Sequence, residues 1–378
     1  MRYRKQAAGL AVFALIVVAC GDGGTTTTTA PPADTTTVAP TTTMAPTTTM
    51  APTTTAAAAV GTADNPVKVI FVPSVEGDVI VAGGEVMRQA LEEATGLSYE
   101  VVVPTSYSAA LAEMCASPEN TMGFIPGLGY VLAANECGVN VAFKAIRFGF
   151  AEYWAQILVP RESEITSVDQ LEGLSWAYPD SGSTSGFMVP TFMFDQAGVT
   201  PGEPVESGGH PQAALAVYRG EADFATTFFS PPLLPEGSWE VGDPADIPDD
   251  IVDTCAPSED GDQLLCGEGG EYRVLDARAS ARADAPDIIQ ALRILEISPP
   301  IPNDTLSFGP EFPADVRAQI EEALLAFAAE CDTNENCAWN DSIGNQDFYG
   351  WTSIAPATDS EYDDLRRIVE LVGFTPPD

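Results

Sequence analysis

The segment Tyr178-Pro-Asp-Ser-Gly-Ser-Thr-Ser-Gly-Phe187 gathers hydroxyl groups where an apolar strand gives way to a helix. A strand ending at Tyr178 and a glycine-containing turn leave Ser183, Thr184 and Ser185 at the first turn of the helix. Free backbone N–H groups and the positive end of the helix dipole point out of such a terminus, and three hydroxyls add donors, so the spot suits a tetrahedral oxyanion. The alternative is an ordinary N-cap, a role serine and threonine favour. No lysine follows the glycine, so the loop is not a Walker loop. The chain's one histidine, His210, stands in Ser207-Gly-Gly-His-Pro211 at the entry to another helix. There an imidazole can donate to a bound anion or serve as a surface or capping group. Ser183 or Ser185 with His210 could also form a hydrolase pair, although a G-x-S-x-G elbow is missing.

Other chemistries are excluded by counting. One histidine rules out multi-histidine metal sites, and the seven cysteines include no C-x-x-C spacing and none beside His210, so no metal site and no cofactor is expected. With 16 basic against 55 acidic residues, the net charge of −39 repels phosphate backbones, and nucleic acid is not a partner. Tyr107, Tyr130, Trp154, Phe228 and Phe229 read first as core, and runs such as Asp249-Asp250 and Glu321-Glu322 as solvated faces.

The elements that position these groups alternate. Residues 67–72 (VKVIFV), 99–103 and 121–125 read as strands, separated by helical stretches over 79–94, stopped by Gly96, and 106–115, with another helix over 129–135. That spacing argues a parallel α/β sheet. A second series follows, with strands at 153–159, 174–178 and 223–228 and helices over 184–197 and 211–219. Between 230 and 270 the pattern fails in a stretch rich in Pro, Gly, Asp and Glu, which reads as a long surface insertion closed by Cys255 and Cys266. Strands return at 272–275 and 293–297. An amphipathic helix over 313–329 puts Val316, Ile320, Ala323, Leu324 and Phe327 on one face, and a last helix over 360–372 buries Leu365, Ile368, Val369 and Val372.

The N-terminus is a targeting device. Arg2, Arg4 and Lys5 precede an apolar run over 7–19, too short to span a bilayer but suited to a signal peptide, and Ala19-Cys20 resembles a lipoprotein cleavage site that leaves a lipidated Cys20. Residues 21–63 carry the repeat Thr-Thr-Thr-Val/Met-Ala-Pro and lack any apolar face, so they form an extended tether. The folded part then lies outside the cytoplasmic membrane, where disulfides persist. Of fifteen possible pairings of the remaining cysteines, three are local in sequence: Cys115 with Cys137, Cys255 with Cys266, and Cys331 with Cys337.

Together these pieces resemble the phosphonate-binding family of periplasmic binding proteins. The family pattern of a D-L-x-G-K turn, a strand, and S-T-S-G with a following proline is similar to Val168-Asp-Gln-Leu-Glu-Gly173 and Ser183-Thr-Ser-Gly-Phe-Met-Val-Pro190. Gly208-Gly-His-Pro-Gln-Ala-Ala-Leu215 with Gly220-Glu-Ala-Asp223 resembles G-x-H-x-x-A-L and G-E-x-D, and Ser298-Pro-Pro-Ile-Pro-Asn-Asp304 resembles the segment crossing back to the first domain. Phe71-Val-Pro-Ser74 and Pro104-Thr-Ser-Tyr107 fit as well, and the likeness runs over about residues 67–329.

The resemblance implies an α/β, two-lobed type II binding-protein fold with one lobe discontinuous and the ligand in the cleft between lobes. It gives 64–152 with 299–378 to lobe I, and 153–298, insertion included, to lobe II. It implies that Ser183, Thr184, Ser185, Tyr107, His210, Asp304 and Ser74 contact a small phosphorus oxyanion, a phosphonate such as methylphosphonate, or phosphite, with phosphate less favoured. The protein would be a monomeric, non-enzymatic lipoprotein on the outer face of the cytoplasmic membrane, delivering to an ABC permease and ATPase; a sensing lipoprotein is the other binding role. Two departures bear on the ligand. An aromatic that some members supply near Phe124 falls at Ile125 or Pro126, and the carboxylate that holds an aminoalkyl tail falls in 227–230, where none stands.

Overall fold

The protein is described here by a computed structural model covering residues 58–374 apart from 333 and 335, so the signal segment, Cys20 and the tether up to residue 57 lie outside the described residues. Residues 58–63, expected in the tether, already belong to the fold. Val60 packs on the core and the Gly61 carbonyl accepts the Ser98 N–H at 2.8 Å.

The first lobe opens with β1 (Val67–Phe71), α1 (Gly77–Thr95), β2 (Tyr99–Val102), α2 (Tyr107–Ala116), β3 (Thr121–Ile125), α3 (Gly127–Cys137) and β4 (Asn140–Ile146). Gly96 ends α1 in the left-handed region, and the Ser106 side chain caps α2 by accepting from the Ala109 N–H at 3.1 Å. The second lobe holds β5 (Glu152–Pro160), β6 (Trp176–Tyr178), α4 (Val189–Ala197), β7 (Pro204–Glu206), α5 (His210–Tyr218) and β8 (Phe224–Phe229). The chain continues through β9 (Ala256–Pro257), β10 (Leu264–Cys266), β11 (Tyr272–Val274), α6 (Ala277–Ser280), α7 (Ile288–Ala291) and β12 (Leu292–Ile297). It returns to the first lobe by β13 (Ile301–Pro302), β14 (Thr305–Phe308), α8 (Ala314–Ala329), β15 (Ser353–Pro356) and α9 (Asp363–Val372).

The first sheet runs β15-β4-β14-β3-β1-β2 and is mixed, not parallel throughout. β1 lies parallel to β2 and β3, whereas β14 is antiparallel to β3 and β4, and β15 to β4. The strand that returns from the second lobe enters between β3 and β4 from the opposite end, so it needs no crossover helix. The second sheet runs β12-β5-β8-β6-β7, with β5 antiparallel to β8 and β12, and β13 pairing with the start of β5. On α8, Ile320, Leu324 and Phe327 are buried while Val316 and Ala323 are half-buried; α9 buries Leu365 and leaves Ile368, Val369 and Val372 half-buried.

The stretch 230–270 is more than a surface loop. It contributes β9 and β10 to a three-stranded antiparallel sheet with β11, and it buries Trp239, Ile247, Val252 and Leu264. Trp239 packs edge-on against Trp154 with ring centroids 5.0 Å apart. The sequence hid this because single apolar residues among many polar ones carry no periodicity. The disulfides Cys115–Cys137, Cys255–Cys266 and Cys331–Cys337 are formed. The insertion is also tied by charge. The fully buried Arg278 donates to both Asp276 oxygens (3.0 and 2.9 Å) and to Asp246 Oδ1 at 2.7 Å, while Arg161 reaches Asp246 Oδ2 at 3.0 Å.

Removing one partner of a buried ion pair leaves the other charge uncompensated, at a cost of about 3–5 kcal/mol. Arg278→Met is therefore expected to destabilise the second lobe by about that amount in urea titrations. An unchanged midpoint would show that water reaches Asp276 when the guanidinium is gone.

Candidate functional site

The helix start at Ser183 opens as a wide turn. Residues Thr184–Met188 are π-helical, with the Met188 N–H donating to the Ser183 carbonyl at 3.1 Å and the Val189 N–H to that of Thr184. Pro190 explains the register. An α-helical turn would have residue 190 donate to the Gly186 carbonyl, proline has no N–H, and the Thr226 hydroxyl serves that carbonyl instead. Gly186 is required sterically, because a Cβ there would lie 2.2 Å from Pro179 Cγ. The Ser183 side chain caps the turn by accepting from the Gly186 N–H at 3.1 Å. Ser183 and Ser185 line a cavity of about 50 Å³ between the lobes, room for a few waters or one small oxyanion.

His210, at the N-terminus of α5, lines the same cavity with its Nε2 3.4 Å from Ser183 Oγ. The backbone N–H of Phe228 donates to Nδ1 at 3.2 Å, so Nδ1 is the acceptor and Nε2 carries the proton. Burial, reinforced by the charge of Arg147, lowers the imidazole pKa to about 3. A neutral imidazole of this tautomer donates towards Ser183 and cannot take its proton, which removes the hydrolase reading.

The first lobe supplies the opposite wall. Ser74, Tyr107 and Asp304 line the cavity, and burial pushes the Tyr107 pKa well above its usual value, keeping its hydroxyl a donor. Asp304 accepts from Arg147 at 2.6 Å, and burial raises its pKa against the pull of that guanidinium. Tyr153, at the start of β5, also faces the cavity and lies beside the Ser185 and Thr184 hydroxyls. Val72, Val75, Phe228 and Phe348 add apolar lining. The lobes are fastened beyond the cavity by a bidentate pair, Arg282 to Asp347 at 2.7 Å for both bonds, and by Arg273 to Gln346 at 2.6 Å.

Ser183, Ser185, Tyr107, His210, Asp304 and Ser74 thus converge on one cavity, with Pro126 beside them. Thr184 is close but is not among the lining residues. It is fully buried, and its Oγ1 accepts the Leu128 N–H of the first lobe at 2.9 Å, so it joins the lobes. Of residues 227–230, only Phe228 and Ser230 line the cavity; Thr227 instead accepts from Gln156 Nε2 at 2.9 Å, and Phe229 packs on Trp154. Arg147, Tyr153 and the aromatics at 348–349 were missed. An isolated arginine within Ile146-Arg-Phe-Gly-Phe150, in a chain with only 16 basic residues, was the available signal for the first.

A two-lobed α/β fold with hydroxyls, an imidazole and a guanidinium lining a small cavity in its cleft is the architecture of a solute-binding protein. The family model described as ABC transporter, phosphonate, periplasmic substrate-binding protein matches residues 69–362, and the chain belongs to that family. It is 22% identical over 321 residues to the phosphate-import protein PhnD of Mycolicibacterium smegmatis, covering 80% of this chain and 84% of that one. Its fold is similar to that of the binding component of an ABC phosphonate transporter from Pseudomonas aeruginosa (TM-score 0.59, 14% identity, 81% of this chain and 86% of that one). PhnD1 of Prochlorococcus marinus in complex with methylphosphonate is comparable (TM-score 0.58, 15% identity, 81% and 98%). Among the described residues, no helix is long and apolar enough to cross a membrane.

Histidine in an unfolded chain titrates near pH 6.5, far above the value of about 3 that His210 has in the fold. Between those values the unfolded state binds the extra proton, so stability falls as pH drops, by about 1.4 kcal/mol per unit once well below pH 6.5. Urea titrations from about pH 7 to about pH 4 are expected to show the wild type losing stability relative to His210→Gln at that rate. Parallel pH profiles would mean that the imidazole is not buried neutral.

Proposed function

We propose that this chain is the lipid-anchored extracytoplasmic binding protein of an ABC importer and that it captures methylphosphonate or phosphite. The observation that carries the ligand reading is the mixed lining of the cavity. Hydroxyl and imidazole groups of Ser74, Tyr107, Ser183, Ser185 and His210 line it together with the apolar Val72, Val75, Phe228 and Phe348. Oxygens of a phosphorus oxyanion suit the polar groups and a hydrogen or methyl substituent suits the apolar ones; a fourth phosphate oxygen facing apolar side chains would lose its hydration without recompense. The relatives named for phosphate import and complexed with methylphosphonate bracket this choice. Anchoring at Cys20, the tether, delivery to a permease and ATPase, and a monomeric state complete the reading. The lobe limits we adopt, 64–152 with 299–378 and 153–298, accord with the membership of the two sheets.

An ammonium tail has no place in such a cavity. Among its described lining residues Asp304 is the one carboxylate, it is already paired with Arg147, and a second cation beside that guanidinium would be repelled. Calorimetric titration is expected to give methylphosphonate or phosphite at least about a tenfold lower Kd than 2-aminoethylphosphonate, a gap of about 1.4 kcal/mol. Ser230→Glu should narrow it. Preference for the aminophosphonate would sink the tail argument, and phosphate binding more tightly than methylphosphonate would sink the argument from the apolar lining.

A further inference from the structure

Arg147 is the one cation among the described residues lining the cavity, and the sequence motifs do not mark it. It is 8% exposed. One terminal nitrogen donates to Asp304, and the guanidinium lies 5.4 Å from the ring centre of Tyr153 and 5.8 Å from that of Phe228. Its Nε–H is buried with no partner. A buried arginine donor left unpaired beside a cavity is a donor in want of an acceptor.

The backbone that presents Arg147 is held under strain. Arg147 and Phe150 exchange two backbone hydrogen bonds at 2.9 Å, and between them Phe148 takes a φ of 50° and Gly149 one of 91°. Phe148 is the one non-glycine residue with positive φ among the described residues, in a region that an aromatic rarely enters. Thr352 secures it. Its hydroxyl oxygen accepts the Phe148 N–H at 2.9 Å and donates to the Ile146 carbonyl at 3.0 Å. Strain of this kind persists where the surroundings over-determine it, commonly at ligand clamps. Here it fixes a turn whose first residue turns its side chain into the cleft.

We propose that Arg147 is a direct, specificity-determining ligand of the bound oxyanion, donating through its guanidinium while Asp304 remains its counter-ion. The assignment rests on the oxyanion reading above and deepens it. It supplies the one full positive charge in a site otherwise made of neutral donors. It also makes the cleft select against cationic substituents, because the guanidinium and the ligand's tail would share one enclosed space.

The competing role for Arg147 is to neutralise Asp304 and nothing more, and a double substitution separates the two. In that case Asp304→Asn and Asp304→Asn/Arg147→Met would bind alike, since neither leaves a lone carboxylate. If Arg147 holds the ligand, adding Arg147→Met to Asp304→Asn weakens binding of methylphosphonate and of inorganic phosphate by about 10- to 100-fold in calorimetry, the effect of losing a hydrogen bond to a charged group. Equal affinities of the two variants overturn the proposal. A second measurement needs no variant to bind. In the wild type, the 15Nε–1H resonance of Arg147, assigned by its absence in Arg147→Lys, is expected to move on saturation with methylphosphonate. A wild type that binds while this resonance stays fixed overturns the assignment of Arg147 alone. A wild type that binds neither probe overturns the oxyanion reading and this assignment together.

Discussion

The two chain crossings between the lobes are bonded to each other, and the geometry of the cleft depends on that junction. The Ala145 N–H donates to the Asp304 carbonyl at 2.9 Å, the Asn303 N–H to that of Ala151 at 3.2 Å, and the buried Asn303 side chain to that of Phe150 at 3.1 Å. Tyr362, from the C-terminal segment, donates to the Asn303 carbonyl at 3.0 Å. The Arg147–Asp304 pair spans the same two segments on the cavity side. Crossings bonded in this way couple the two segments, so a change in one is passed to the other.

Polar contacts join the lobes at the rim and at the site itself. Thr184 to Leu128, the Tyr107 N–H to Asp180 at 3.4 Å, and the Arg282–Asp347 pair all run from one lobe to the other. Phe187 also meets Phe374 across the lobes, with ring centroids 6.3 Å apart. Polar contacts exchange for water at small net cost, so they resist opening weakly, and a ligand that binds the closed form better shifts the balance towards it.

Much of this was legible in the sequence wherever function rests on local geometry. Ser183, Ser185 and His210 occupy helix starts, and a helix start announces itself through glycine, hydroxyl and proline at fixed spacing. The family S-T-S motif implies Thr184 as a ligand contact; in the turn widened at Pro190 its hydroxyl accepts the Leu128 N–H. Strand alternation could have sorted residues 227–230, since only every second side chain shares a face, and Phe228 and Ser230 are the pair that reaches the cavity. Arg147 was hidden for a different reason. Its direction depends on a left-handed phenylalanine held by Thr352, some 200 residues away, and no window of sequence contains both. The aromatics at 348–349 come from a segment beyond the reach of the family motifs and join the site only through tertiary packing, with the Tyr349 hydroxyl donating to the Val72 carbonyl at 2.8 Å.

A chain of net charge −39 that captures an anion has to reconcile its far field with its near field. At physiological salt the potential of surface carboxylates fades over about 8 Å, so repulsion lowers the encounter rate but does not act inside the cavity. Within the cavity the low dielectric strengthens fixed charges and dipoles, and on the reading proposed above a single guanidinium, already paired with Asp304, acts beside hydroxyls and a neutral imidazole. The protonation of His210 matters here in an unexpected direction. A charged imidazolium would bind anions more strongly but with less regard for shape, and the Phe228 N–H aimed at Nδ1 prevents it, because a ring nitrogen that accepts a hydrogen bond cannot also hold a proton. The backbone of β8 thereby keeps the site dependent on geometry, with discrimination resting on where the oxygens lie.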